Sequence, residues 1–489
     1  MRHPTPLESM RPDAVKHGFE RGPHEARGGA SEGSRTLPFR LGFLSPPAFL
    51  LSICPGFSPQ AGEGRSSVVL AEHPKGVRLL EGPILLHAGI DPQWGGHTFS
   101  YLLEGERAVF WSAKRVGPTG PALVGQHPKP GSDREPAVAQ LSFGDGRVTR
   151  VNQPQMVRTP DGHLHVFIGY GERLGEGETG RIKYYRSGRP EDVSSFVDRT
   201  ELIPTGEYSE FHTRMNVGLD RDGKRLVLVV LTDFVPNKHS MNVPLAYFGA
   251  RDGLDFRFQP PIAWAEPTSF FYAQVAATER GPVLVGAVDH DPSRRAELVH
   301  LDWTGRVVAW ERLPFPEEAA QSWAFEIEPI DPTDWSRLLL VRSIVPREGR
   351  KRAIEFWLYD AERRRLELLR SIPNDVSVQP GFSNAGQLLT LAGRPPLFVN
   401  EPSSRALYAW EGDLLGEGSM RLAPLSGTEP AKFGYTGIRS LFVPSVLQGS
   451  VPSDGTGHVA IDVSNPDLPK ESTGPCTFLL WRFDAGRAR

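Results

Sequence analysis

The sequence predicts an all-β protein with many short strands, and three observations support this prediction. Glycine (51) and proline (45) make up about a fifth of the 489 residues, and both residues interrupt helices. Hydrophobic residues (39%) suffice for a large core, and the share of charged residues (23%) is typical of a folded protein. Short polar turns also recur between apolar runs along most of the chain. These features exclude a disordered or collagen-like polypeptide and disfavour a helical bundle.

A repeated unit indicates which all-β fold the chain adopts. Each unit contains an apolar strand, a tight polar turn and a second, more strongly apolar strand. The spacing of the turns, 51 to 69 residues, is too long for solenoid repeats and matches four-stranded propeller blades with their loops. We therefore predict a seven-bladed β-propeller of four-stranded antiparallel blades, with several separate β-sandwiches as the alternative. The turns are centred on Glu104, Asp161, Asp222, Arg280, Asp334, Ala385 and Asp454.

The residue types within each unit explain its predicted turn and strands. Asp-Gly and Asn-x-Gly sequences favour hairpin turns because glycine accepts the positive φ that such turns require. The last strand, Thr477–Phe483, is expected to close the ring beside Val68–Leu70, and Pro190–Ser195 is a candidate helical turn. The second strands are Ala108–Trp111, Leu164–Ile168, Leu226–Leu231, Val283–Val288, Leu338–Val341, Leu388–Leu391 and His458–Ile461. Strands farther out in the blades are Ile182–Arg186, Leu245–Phe248, Leu298–Leu301, Ile354–Tyr359 and Ala406–Trp410.

The first 61 residues are expected to form a separate leader, and residues 62–489 a single propeller domain. Residues 1–36 combine basic side chains with Pro, Gly, His and Ser and lack apolar periodicity, which is typical of a disordered segment. The apolar run Leu41–Cys54 follows Arg40 and is too short to span a membrane, as in a secretory signal. The sequence therefore predicts a secreted or periplasmic protein, with a disordered leader on a cytoplasmic protein as the alternative.

Charge, cysteine content and motifs limit the partners and cofactors. The net charge of −3 gives no reason to expect nucleic acid or anionic lipid as a partner. Two cysteines, Cys54 and Cys476, cannot form a disulfide framework or a four-thiolate metal site. The stretch Gly169–Gly175 has the wrong glycine spacing for a dinucleotide loop, and Asp289-His-Asp291 is a poor metal cluster because adjacent strand residues alternate faces. We expect a monomer without a cofactor, metal or membrane insertion.

The unit around the second turn resembles a known family of propellers. It carries Asn152-Gln-Pro154, then the Asp161-Gly162 turn, and later Tyr185-Arg-Ser187. The BNR-repeat propellers that include the ulvan lyases have a His-Asn-x-Pro strand, an Asp-Gly turn, an apolar strand ending in Gly-His, and an aromatic-Arg-Ser strand. Val151 and Gly171 stand where this pattern has its two histidines.

The resemblance implies an exported enzyme that cleaves an acidic, uronate-containing polysaccharide by β-elimination. Ala250–Phe256 also resembles a degenerate sialidase Asp-box turn. Two other functions stay open: a non-catalytic glycan-binding propeller that lost the two histidines, and a sialidase-like hydrolase. A sialidase-like hydrolase needs an arginine triad, a Tyr/Glu nucleophile pair and an Asp acid. Candidates for part of that set are Arg214, Arg439, Tyr435 and Glu326.

The first strand of each unit supplies the candidate site residues, because these strands surround the axial channel of a propeller. Polar residues recur there at positions where a purely structural strand would carry Val or Ile. They are therefore predicted to face a ligand. The predicted substrate-binding residues are Asn152, Gln155, Asn216, Gln274, Glu326 and Arg439.

Four residues are candidates for the chemistry of β-elimination, which needs a cation beside the carboxylate, a base for the acidic C–H and an acid for the leaving oxygen. Arg214 is the predicted cation because guanidinium pairs bidentately with carboxylate. His212 is two residues away, and an uninterrupted strand would place both on one face. His97 and Tyr272 come from other blades and are candidates for acid or base. A tyrosine base would need its ordinary pKa, about 10, lowered by a cation. Hydrogen bonding to loops and packing between blades are the structural alternatives for all four.

A variant that begins at Gly62 tests the predicted domain boundary. Because the leader is predicted to contribute no core, this variant should unfold at the same temperature as the full chain, measured by circular dichroism. A variant that begins at Gly120 is the control, since it also loses the predicted strand Ala108–Trp111 and should be far less stable. A large loss of thermal stability in the Gly62 variant would place part of the leader in the folded body.

Overall fold

The computed structural model describes segments that all lie within one unit, Val68–Arg489. The predicted boundary at residues 61 and 62 lies outside them and stays a prediction. Within the described segments, no helix is long and apolar enough to cross a membrane. The described residues are 78–90, 101–114, 119–143, 147–174, 177–204, 211–232, 243–263, 270–288, 295–314, 319–331, 334–346, 352–374, 387–389, 397–399, 407–411, 421–425, 445–446, 456–463 and 476–484.

Five sheets follow one another along the chain, and in each of them four consecutive strands form an antiparallel meander. We call them blades 1 to 5. Blade 1 contains β2 (Tyr101–Glu104), β3 (Ala108–Lys114), β4 (Ala122–Pro128) and β5 (Ala137–Leu141), and blade 2 contains β6 (Val148–Arg158), β7 (Leu164–Leu174), β8 (Gly177–Ser187) and β9 (Phe196–Asp198). Blade 3 contains β10 (Phe211–Leu219), β11 (Arg225–Thr232), β12 (Val243–Asp252), β13 (Asp255–Phe258) and β14 (Ile262–Ala263). Blade 4 contains β15 (Phe270–Thr278), β16 (Gly281–Val288), β17 (Ala296–Leu301) and β18 (Val307–Arg312), and blade 5 contains β19 (Ala319–Asp331), β20 (Asp334–Pro346), β21 (Arg352–Asp360) and β22 (Arg365–Asn374).

The remaining strands form smaller sheets. They are β1 (Arg78–Ile90), β23 (Gln387–Leu389), β24 (Leu397–Val399), β25 (Leu407–Glu411), β26 (Arg421–Leu425), β27 (Ser445–Val446), β28 (Thr456–Val463) and β29 (Cys476–Asp484). β23 pairs with β24, and β25 pairs with β26. β27 joins blade 1 beside β2, and β28, β29 and β1 form one sheet in the order β1-β29-β28.

The arrangement of these sheets is that of a β-propeller. The first strands of successive blades are neighbours, because β10 lies against β6, β15 against β10, and β19 against β15. β29 pairs with β1, so strands from near the two ends of the described chain share one sheet. Radially repeated antiparallel meanders closed in this way define the propeller architecture. The prediction of an all-β propeller is confirmed.

The closing strand has a different partner from the one the sequence suggested. β29 runs beside β1 from the pair Arg78 and Asp484 to the pair Ile90 and Cys476, whereas Val68–Leu70 lies outside the described residues. The apolar stretch Ile84–Leu86 explains the pairing, since Ile84 and Leu86 pack with the apolar cluster of blade 1 that also holds Leu480.

The predicted turns of blades 1 to 4 connect the first and second strands of their blades. Gly162 and Gly223 have φ values of 83° and 66°. This is the left-handed conformation that the Asp-Gly sequences predicted. In blade 5 the second strand already begins at Asp334, earlier than predicted. The turns around Ala385 and Asp454 lie outside the described residues. We call the end of the propeller that carries these turns the turn end.

Two further predictions can be compared with blades 2 to 5. The predicted farther-out strands are the third strands β8, β12, β17 and β21, and a fourth strand follows each of them. The candidate helical turn is confirmed as a 3₁₀ helix, Val193–Ser195, whose first turn is capped when the Asp192 carboxylate accepts a hydrogen bond from the Ser194 N–H.

The hydrophobic core consists of layers between blades. Strand β11 carries an uninterrupted apolar run because both of its faces are buried. Leu226, Leu228 and Val230 pack in the cluster shared with blades 1 and 2. Val227, Val229 and Leu231 alternate with them and pack in the cluster shared with blade 4. Blade 3 therefore depends on both neighbours for the burial of its second strand.

Replacing Leu228 tests this dependence. Leu228 is fully buried in the layer between blades 2 and 3, so Leu228→Ala should lower the free energy of unfolding by about 2–5 kcal/mol. Leu254→Ala is the matched control, because Leu254 is 42% exposed and its loss should cost less than about 0.5 kcal/mol. Equal losses in denaturant unfolding would contradict the assignment of the core to the layers between blades.

Candidate functional site

The end of the propeller opposite the turn end is where the first strands begin, and their ladders are irregular there. The register with the second strand shifts near the start of the first strand in four successive blades. Such bulges re-aim side chains and are common beside active sites. We call this end the bulge end. The shifts lie between Val151 and Pro154, Phe211 and Met215, Phe270 and Tyr272, and Trp323 and Phe325.

The predicted catalytic residues His212 and Arg214 lie inside the largest of these shifts. Phe211 pairs with Thr232 and Met215 pairs with Val230. These two pairs are four residues apart on β10 but only two residues apart on β11. The strand is therefore interrupted, and the alternation that would place His212 and Arg214 on one face does not apply across it.

The other predicted site residues are spread over neighbouring first strands. Asn152 lies inside the shift of β6, and Tyr272 borders the shift of β15 opposite Ala287. Glu326 lies on β19 opposite Val341. Since β6, β10, β15 and β19 are adjacent in space, the fold brings these positions to one end of one ring of strands. His97 and Arg439 lie outside the described residues.

Three predicted substrate-binding amides lie deeper on the first strands. Asn216 is 8% exposed, and its Nδ2 donates to the carbonyl oxygen of Ala273 on the next first strand, so this amide joins two blades. Gln274, the next residue on that strand, is half-buried. Gln155 is fully buried, and neither its Oε1 nor its Nε2 has a hydrogen-bond partner within the described part of the chain. A buried amide of this kind is rare in a purely structural strand.

The two positions that carry histidines in the resembling family are neighbours in the ladder of blade 2. Val151 lies opposite Tyr170, and Gly171 lies opposite Arg150. Val151 is fully buried. An aliphatic side chain and a glycine cannot transfer protons, so acid or base chemistry would have to come from other residues.

The turn end holds a buried polar network between blades 2 and 3. The Tyr184 hydroxyl accepts a hydrogen bond from the Phe256 N–H (3.1 Å) and forms a second hydrogen bond with His165 Nδ1 (2.8 Å). His165 Nε2 lies 3.4 Å from the Thr159 hydroxyl, which donates to Asp161 at 2.6 Å. Burial lowers the pKa of His165 and raises that of Tyr184, so both side chains are neutral near pH 7. The network is structural.

Charged residues around this network are also paired within the protein. Burial alone would raise the pKa of Asp161, but hydrogen bonds from Thr159 and Arg251 lower it to about 2. Arg186 donates to Asp255 (2.6 Å) and to the Ser187 carbonyl oxygen (2.8 Å), as expected for a structural arginine. No group of His, Cys, Asp or Glu able to hold a metal ion occurs among the described residues, which do not include Asp289–Asp291.

Comparison with known proteins adds structural relatives only. No protein-family model matches the sequence, and no curated protein matches it. A solved polysaccharide lyase, Uly1, matches with a TM-score of 0.50 and 11% identity over 85% of this chain and 99% of that chain. A PL25 ulvan lyase bound to -[GlcA(1-4)Rha3S]- matches with a TM-score of 0.49 and 12% identity over 81% of this chain and 96% of that chain. A GH43 β-1,3-galactosidase matches with a TM-score of 0.34 and 12% identity over 58% of this chain and 98% of that chain.

The match to Uly1 concerns the fold. At 11% identity, a similar course of the chain over 85% of its length shows the same fold and leaves the activity to be argued from the site. The candidate site on this fold is the bulge end, where His212, Arg214, Asn152 and Tyr272 lie in or beside register shifts.

A second buried histidine generates a pH-dependence prediction. His300 on β17 is 1% exposed, its Nδ1 lies 3.1 Å from the Tyr359 hydroxyl of blade 5, and burial followed by the charges of Arg364 and Arg280 lowers its pKa from 6.5 to about 4. Unfolded chains take up this proton first as the pH falls. Stability that is fully present above pH 6.5 should therefore decrease by roughly 3 kcal/mol towards pH 4.

His300→Gln removes this titration while keeping a polar side chain beside Tyr359. Its free energy of unfolding should fall less steeply than that of the wild type between pH 6.5 and 4, measured by urea unfolding at several pH values. Identical slopes for the two proteins would show that His300 titrates normally.

Proposed function

We propose that the protein is a carbohydrate-active propeller that cleaves a uronate-containing polysaccharide by β-elimination at the bulge end. One observation carries the proposal: successive first strands depart from regular pairing at the positions where His212, Arg214 and Asn152 occur. Irregular ladders cost backbone hydrogen bonds, so their repetition at one end favours a binding role over a purely structural one. The fold shared with a polysaccharide lyase supports the same class of substrate.

Each proposed residue has one task in the reaction. Arg214 pairs with the uronate carboxylate and stabilises the negative charge that develops when the adjacent C–H loses its proton. His212 or Tyr272 takes that proton, the electron pair forms the C=C bond, and the bond from the β-carbon to the glycosidic oxygen breaks. His97 gives a proton to the leaving oxygen. Asn152, Gln155, Asn216, Gln274, Glu326 and Arg439 are the proposed substrate-binding residues of the same strands.

Seven blades and export belong to the same proposal. Two pairs of short strands, β23–β24 and β25–β26, lie together because β24 contacts β25, and they are suited to form a sixth blade. The sheet of β28, β29 and β1 would be the seventh. A large polysaccharide cannot enter a cell intact, so an enzyme acting on it would work outside the cytoplasm, as the apolar run Leu41–Cys54 suggests.

A non-catalytic glycan-binding propeller is the second candidate function. Val151 and Gly171 favour it, because both positions at which the resembling family carries histidines lack a titratable side chain. The scaffold and the cations at the bulge end would then bind an acidic glycan without cleaving it.

Replacing Arg214 tests the lyase. Arg214→Ala should reduce turnover by a hundred- to a thousand-fold, about 2.7–4 kcal/mol, because the developing charge loses its principal counter-charge. Arg214→Lys should restore only part of the activity, since an ammonium group cannot form the bidentate pair. The assay follows the ultraviolet absorbance of unsaturated products from ulvan, alginate, pectin and glycosaminoglycans.

Two controls separate the possible outcomes. Arg363→Gln changes an 81% exposed arginine at the turn end and should leave turnover unchanged. Wild-type protein that binds an acidic glycan but releases no unsaturated ends would support the glycan-binding function. An active enzyme that is indifferent to Arg214→Ala would refute the assignment of Arg214.

A further inference from the structure

A buried amide lies between blades 2 and 3, next to the bulge end. Gln155 is the second regularly paired residue after the register shift of β6, and it lies opposite Phe167 on β7. Residues opposite each other in a sheet share a face. The Phe167 ring packs edge to face on the Phe258 ring of blade 3, with centroids 5.7 Å apart. The Gln155 side chain therefore enters the apolar layer between blades 2 and 3.

The described groups around this layer leave the amide without a partner. Gln155 is fully buried, and neither its Oε1 nor its Nε2 forms a hydrogen bond within the described part of the chain. The first pair beyond the register shift of β10 is Met215 and Val230, both apolar and fully buried. His165 lies on the same face farther towards the turn end, but both of its ring nitrogens already take part in the polar network there.

The layers on either side show how this protein satisfies buried polar side chains at the same level. Ser112 of blade 1 is fully buried, and its hydroxyl donates to the Pro154 carbonyl oxygen of blade 2 at 3.4 Å. The Asn216 amide of blade 3 donates to the Ala273 carbonyl oxygen of blade 4. Of these three buried groups, Gln155 alone lacks a partner among the described residues. An unpaired buried amide lowers stability, so its presence points to a group supplied from outside the protein.

The chemistry of the amide selects one class of partner. A primary amide presents an acceptor oxygen and an NH₂ donor side by side. A carboxylate or sulfate group offers only acceptors and would leave the Gln155 oxygen unpaired, and a cation offers only donors. A hydroxyl group both donates and accepts, so one sugar hydroxyl or two neighbouring ones satisfy both ends of the amide.

We propose that Gln155 binds hydroxyl groups of a glycan at the bulge end, in the layer between blades 2 and 3. The inference rests on the proposed function, because it requires a glycan at this end, and it names the chemical group that Gln155 takes. Since Gln155 is fully buried without a ligand, the strand ends beside it must separate when the sugar binds. The register shifts of β6 and β10 border this layer, and their interrupted ladders make that separation less costly than it is along the regular part of the strands.

Binding measurements with native and partly O-acetylated glycans test this assignment. Polygalacturonate, alginate and ulvan are titrated by calorimetry before and after O-acetylation, which blocks hydroxyl groups and keeps the acidic groups. Gln155→Met keeps the length of the side chain but removes both polar ends, so it should raise the dissociation constants of the native glycans about ten-fold. Its effect on the acetylated forms should be smaller. Gln140→Met, at an exposed position of the edge strand β5, is the matched control and should leave every affinity unchanged.

The stability of Gln155→Met separates ligand binding from a structural role. Removing an unpartnered amide should leave the unfolding temperature of the ligand-free protein unchanged or raise it. A lower unfolding temperature, or failure of the variant to fold, would show that the protein itself satisfies the amide and would overturn the inference.

The outcomes distinguish this inference from the proposed function. Native glycans that bind the wild type and Gln155→Met equally well would overturn the hydroxyl site, and so would an equal loss of affinity for native and acetylated forms. Cleavage of the same glycans would then leave the lyase standing. Hydroxyl-dependent binding by a wild type that releases no unsaturated ends would support the hydroxyl site and contradict the lyase. If none of the glycans binds the wild type, both proposals fail.

Discussion

The second strands of blades 1 to 5 are buried on both faces, and this burial is the constraint on which the rest of the structure depends. A meander such as β10–β13 has no core of its own, because Leu228 on one face and Val229 on the other pack against different neighbours. Burying apolar area drives association of the blades in the same way as it drives folding of a single layer. The pairing of β29 with β1 joins strands from near the two ends of the described chain, which leaves neither of them as a free edge.

Polar contacts at the turn end hold the blades at fixed positions within that ring. Glu191 of blade 2 accepts hydrogen bonds from the Glu106 and Arg107 N–H groups of the blade 1 turn, at 2.6 and 3.3 Å. Arg225 of blade 3 donates to the Glu279 carbonyl oxygen in the blade 4 turn at 3.0 Å. Because these groups satisfy one another, they contribute to stability at the turn end.

The sequence predicts elements whose cause is local. The run Leu226–Leu231 and the Asp222-Gly223 turn are examples, since residue type alone decides burial and positive φ there. The bulge around His212 and Arg214 could not be predicted, because a register shift depends on how two strands meet across the hairpin. The Asn216 amide likewise bonds to Ala273 on another blade, a contact that no local pattern reveals. The sequence therefore indicated which strands carry the candidate site residues, but it did not indicate the register shifts and the contacts between blades.

The two ends of the propeller thus meet opposite requirements. At the turn end, buried groups such as His165 and Tyr184 are neutral and fully bonded, which suits a rigid interface. At the bulge end, the ladder is interrupted and the Gln155 amide is buried without a partner among the described residues. Under the proposed function, glycan binding needs only a cation such as Arg214 there, whereas cleavage also needs an acid and a base, which Val151 and Gly171 cannot supply. The proposed glycan binding therefore makes fewer demands on this end than the proposed cleavage, for which the first strands of other blades must supply the acid and the base.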